Sequence, residues 1–96
     1  MKSPHQIRPA VISELEPDML AMLQYLSGAQ PIIENCVHAA PERGALFIAN
    51  GGQYVFALLT ADDLTAAVHY LKAGEITGAE LVACLQYGPR MALTVV

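Results

Sequence analysis

Cys36-Val-His38, His69 and Cys84 carry the side chains of this sequence with the richest chemistry. Two thiols and two imidazoles are a ligand set for tetrahedral zinc, and a thiol beside an imidazole is how a cysteine nucleophile is activated. The spacing argues against zinc. Structural sites show two close pairs of ligands, whereas Cys-x-His on a helix sends its side chains to opposite sides, and His69 lies far from Cys84 in the chain. A nucleophile centred on Cys36 and His38 requires hydrogen-bond contact that spacing does not supply. A Cys36–Cys84 disulfide is a third use, but two cysteines without a secretion signal read as reduced thiols, which in most folds are small buried hydrophobes. Gly51-Gly52 lacks the Lys and Ser or Thr that follow in a phosphate cradle, so it reads as a turn. No nucleophile elbow or dinucleotide-binding glycine run is present. The polar residues are few and dispersed, so the reading leans away from an enzyme and expects no cofactor and no metal.

The elements that would position these groups show a near-repeat. The segment from Asp18 to Leu26 aligns with that from Asp63 to Leu71, sharing Asp, Ala, Tyr and Leu at matched places. Cys36 to Pro41 aligns with Cys84 to Pro89 and, after a slip of one residue, Arg43 to Leu46 aligns with Arg90 to Leu93. Solenoid repeats need three or more copies, so two copies point to a closed globule with pseudo-symmetric halves. Tyr25 and Tyr70 then hold matched helix positions and, with His69, flank a candidate ligand pocket between the halves. Arg43 and Arg90 are matched as well, and an arginine pair could grip a partner carboxylate.

Composition narrows the function classes. The 96 residues are 54% hydrophobic and 15% charged, against about 25% charged in typical chains. A domain of this size buries only about 60–65% of the surface its unfolded chain exposes, so the apolar surplus predicts a homo-oligomer, a dimer in the first instance. The net charge is −4, and Lys2, Arg8, Arg43, Lys72 and Arg90 stand singly, which argues against a nucleic-acid partner. No apolar leader opens the sequence, and its longest apolar run, Tyr54 to Leu59, is far short of the roughly 20 residues of a membrane span. The expectation is a cytoplasmic protein that does not enter membranes.

Local signals place the elements. Pro17-Asp18 opens a helix carrying Met19, Met22, Leu23 and Leu26 at helical spacing, with Gly28 as its stop. Pro31 to Ala40 puts Ile32, Ile33, Cys36, Val37 and Ala40 on one helical face, with an extended conformation as the alternative. Two apolar runs, Ala45 to Ala49 and Gln53 to Leu59, flank Asn50-Gly51-Gly52 and predict a hairpin. Neither run alternates, so the pair should be covered on both faces, or on one with the other in an interface. Thr60 and Asp63 begin a helix that Gly74 ends, and Thr77-Gly-Ala-Glu80 is a capping box for another through Tyr87. That pair has helix-turn-helix spacing, but Gly78 to Gln86 holds no basic residue, which favours a plain helical hairpin. Ala10 to Ile12 and Arg90 to Val96 complete the pattern as strands, the latter ending without a charged residue to discourage edge pairing.

These signals predict one domain, 1–96, of α+β class. It would be a two-layer sandwich of a small, mainly antiparallel sheet and about four short helices, with an internal β-α-α-β duplication relating halves 8–49 and 53–96. The expected function is a non-enzymatic protein–protein interaction or accessory protein that self-associates through an apolar surface, with Phe47, Tyr54, Phe56, Leu93 and Val95 as contacts. The alternative is a small-molecule-binding module using the Tyr25/Tyr70/His69 pocket.

Overall fold

The hairpin predicted around Asn50 forms the centre of the sheet. The computed structural model describes residues 12–87. Within them β4 (Ala45–Asn50) and β5 (Gln53–Leu58) pair antiparallel, with Asn50 opposite Gln53. The positive φ angles of the turn fall on Gly51 (56°) and Gly52 (85°), so Asn50 serves as the last strand residue and the two glycines make the bend. Around this pair lie β1 (Ile12–Glu14), β2 (Gln30–Ile33) and β3 (Val37–Ala40), in the order β1-β5-β4-β3-β2 with every pairing antiparallel.

Three helices complete the described fold: α1 (Pro17–Ser27), α2 (Ala61–Ala73) and α3 (Gly78–Tyr87). Their ends follow the local chemistry. Pro17 occupies the first turn of α1, and Gly28 closes it at φ 66°. Thr60 Oγ1 accepts the Asp63 N–H at 3.3 Å at the start of α2. At α3 the capping box is reciprocal: Glu80 N–H donates to Thr77 Oγ1 at 3.1 Å, and Thr77 N–H donates to Glu80 Oε1 at 3.0 Å.

The helix expected over Pro31 to Ala40 does not form. That segment is β2, a tight turn and β3, as in its extended alternative. Asn35 takes the left-handed conformation at φ 65°, and Cys36 N–H donates back to the Ile33 carbonyl at 3.0 Å. A ten-residue helix would be marginal in isolation, whereas β-branched Ile32, Ile33 and Val37 favour strands. Pro31, which has no N–H to give, sits on the outermost strand of the described sheet. The helix count among the described residues is therefore three.

Strand alternation sends side chains to two faces. Leu46 and Ile48 of β4, with Val37, Ala39, Val55 and Ala57 around them, meet Leu64, Ala67 and Leu71 of α2 and Leu81, Val82 and Leu85 of α3. Ala45 and Phe47 point the other way, with Ala40 beside them and Leu20 of α1 above. Helices thus lie on both sides and the layers number three instead of two, because a strand pair apolar on both faces must be covered on both. The proposed duplication is not confirmed. Asp18–Leu26 and Asp63–Leu71 are both helical but lie on opposite faces of the sheet, and the Cys36 segment is turn and strand where the Cys84 segment is helix. The expected strand Arg90 to Val96 and the residues Ala10 and Val11 lie outside the described residues, while Ile12 begins β1.

A 3₁₀ turn, Pro41–Arg43, links β3 to β4 and ends at Gly44 with φ 64°. A Cβ on Gly44 would stand 2.7 Å from the Leu59 carbonyl oxygen, whereas one on Gly28 would meet nothing within 4 Å. Both positions demand left-handed backbone, and only Gly44 adds a clash with main chain that cannot turn away. Gly28→Ala should cost about 1 kcal/mol. Gly44→Ala should cost more than about 2 kcal/mol, read as a larger fall in the urea midpoint at unchanged slope.

Candidate functional site

Helix α1 has a wider apolar arc than one sheet contact can cover. Adjacent pairs Met19-Leu20 and Met22-Leu23 point about 100° apart, so when Leu20 and Leu23 turn to the sheet, Met19 and Met22 turn away. Met19 is 45% exposed, Met22 53%, Leu26 63% and Tyr25 85%. No charged residue interrupts Met19 to Ser27. Leu58 of β5 is 49% exposed on the same side of the sheet.

Between α1 and the sheet runs an open groove of about 540 Å3. Leu23, Leu26 and Ser27 form its helical wall. Phe47 and Phe56, a cross-strand pair with ring centroids 5.1 Å apart and planes tilted by 39°, form its floor with Ala45. Leu58 and Arg43 complete the lining. The Ser27 hydroxyl donates to the Leu23 carbonyl within the helix. Arg43 is placed there by the 3₁₀ turn, whose closing bond runs from Gly44 N–H to the Pro41 carbonyl at 3.2 Å.

The proposed contacts Phe47, Tyr54 and Phe56 share the α1 side of the sheet. Phe47 is 1% exposed beneath the helix, while Tyr54 and Phe56 are half-buried beside it. Leu93 and Val95 lie outside the described residues. The three pocket residues are not brought together. His69 and Tyr70 meet edge to face at 5.6 Å on α2, bordering a shallow depression with Asp62 and Thr65, but Tyr25 is on α1 across the sheet. The surface that α1 leaves open was legible in part: paired apolar residues at 19–20 and 22–23 signal more than a single stripe. The sequence marked Arg43 only as one of a matched arginine pair, because its place in the groove depends on how β3 turns into β4.

The sulfur and imidazole groups are likewise dispersed. Cys36 is exposed in the β2–β3 turn, and Cys84 is buried on α3 against the opposite face, so the two are not bridged. His38 pairs with Phe47 across β3 and β4 on the α1 side. Among the described residues no three His, Cys, Asp or Glu side chains gather as metal ligands. None of their buried side-chain nitrogens or oxygens lacks a hydrogen-bond partner, and none of their helices is long and apolar enough to cross a membrane.

Burial pushes the Cys84 thiol above its ordinary pKa, and the nearby Asp63 carboxylate adds to the rise. Asp63 is itself only 2% exposed, in the first turn of α2. A thiol pKa raised by folding favours the protonated native state, so its contribution is fully present below the unfolded thiol pKa of about 8.5 and is lost as the pH rises through the higher folded value. Stability should therefore decline above about pH 8.5, and this decline should lessen in Cys84→Ala. In a thiol-labelling time course at neutral pH Cys36 should react at once, and Cys84 only at the rate of unfolding.

Against this architecture no family model, no curated protein and no solved structure gives a match to the chain.

Proposed function

We propose that this chain is a small, non-enzymatic interaction protein that self-associates through the outer face of α1. The observation that carries the reading is the uncharged stripe Met19, Met22, Tyr25 and Leu26, exposed on a helix whose opposite side is already seated on the sheet. Depletion of charge with enrichment in Met and Tyr is the composition of an interface core. A second copy suits it on electrostatic grounds. The chain carries −4 overall, so two copies meet at least cost where each is neutral, and a twofold contact presents the same patch from both sides. Phe47, sealed under α1, would support this surface from behind, with Tyr54 and Phe56 at its margin. The apolar surplus of the composition supports the same reading.

Sedimentation velocity and native mass spectrometry over a wide dilution series test it. The unaltered chain should pass from dimer to monomer on dilution. Met22→Glu and Leu26→Glu, each at an exposed site, should weaken association at least about tenfold, with the far-ultraviolet circular dichroism unchanged. A chain that stays monomeric at every concentration overturns the reading.

A further inference from the structure

The groove beside α1 differs from the helix's outer stripe in one respect: it contains a cation. Among the described residues Arg43 is the sole charged one of its lining, with no Asp or Glu among the others. Among the described residues no ion pair engages its guanidinium. The remainder of the lining is aliphatic or aromatic apart from Ser27, whose proton is already given to the helix backbone. We propose that this groove binds a linear aliphatic carboxylate, its chain lying over Phe56 between Leu26 and Leu58 and its headgroup paired with Arg43.

The groove's size, its apolar lining and its single cation select this class. The volume of about 540 Å3 falls in the roughly 300–1,000 Å3 range of small-molecule sites, which are mostly apolar with few polar groups fixing orientation. Any occupant that covers the groove takes water from Arg43, and an unpaired guanidinium resists desolvation unless an anion accompanies it. Neutral hydrocarbon leaves that cost uncompensated, and a cationic amphiphile adds repulsion. Carboxylate matches the guanidinium with two parallel hydrogen bonds. The chain's overall negative charge repels anions elsewhere, so selectivity for one must come from Arg43. The groove shares Leu26 and Phe56 with the self-associating surface, so its occupancy is read at Arg43, Ala45 and Leu58, which lie outside that surface.

The test is a calorimetric titration of the full chain with dodecanoate, dodecanol and dodecyltrimethylammonium, each below its micelle concentration, with amide chemical shifts followed in parallel. Dodecanoate should saturate one site per chain and shift the amides of Arg43, Ala45 and Leu58, while the other two probes bind at least about tenfold more weakly. Arg43→Gln should lower dodecanoate affinity to that of dodecanol, and Arg43→Lys should recover part of it. Because Arg43 is exposed, the variants should keep the parent's thermal midpoint, which separates lost binding from lost fold. Equal binding of the three probes, dodecanoate binding indifferent to Arg43→Gln, or no saturable binding overturns the proposal. Shifts at these amides that follow protein dilution instead of ligand assign the groove to a second copy and also overturn it.

Discussion

Burial of β4 on both of its faces is the constraint from which the other layers follow. Ala45, Leu46, Phe47 and Ile48 are all buried, although consecutive strand residues point in opposite directions. A strand with this composition cannot lie at a surface, and it needs neighbours on both edges to satisfy its backbone. It has β5 on one edge and β3 on the other. The close approach of Gly44 to Leu59 at its start extends the β4–β5 ladder by one more bond, Leu59 N–H to the Gly44 carbonyl at 2.7 Å.

The two faces of that strand are covered unequally. On the side of α2 and α3, large aliphatic side chains from both helices close over Leu46 and Ile48, which are fully buried. Among the described residues the other side has one helix of eleven residues, which seals Phe47 and leaves Phe56 half-buried and Leu58 exposed. Surface that is apolar on both the helix and the strand beneath it is costly to leave in water, at about 25 cal/mol per Å2. This imbalance motivates both proposals: a second copy on the outer stripe of α1, and an amphiphile in the groove at its flank.

The polar chemistry is spent mostly on structure. Thr60, Thr77 and Glu80 satisfy helix N-termini, Ser27 bonds back into α1, and Asp63 sits buried at the head of α2. Cys84 behaves as a small core residue whose thiol is held protonated by burial and by Asp63. The cysteines and histidines that drew attention by type lie on separate elements, and the sheet stands between Cys84 and His38. Arg43 is the exception, a charge placed against apolar surface.

Caps and turns were readable because they are local: Pro17, the Thr77/Glu80 box and Gly51-Gly52 act within a few residues of themselves. The α+β class and the apolarity of both faces of the central hairpin were also contained in the amino-acid order, since its runs do not alternate. Pro31 to Ala40 was ambiguous because its apolar residues suit either period, and only the free edge of β4, which β3 fills, resolves it as strands. The apparent repeat left placement open for a related reason: matched identities do not specify which face of a sheet a helix will occupy. Local sequence thus determined where the helices and turns begin and end. Tertiary structure alone decided that α1 crosses to the far face and which of its apolar side chains remain outside, because that choice depends on how much sheet surface one short helix can cover.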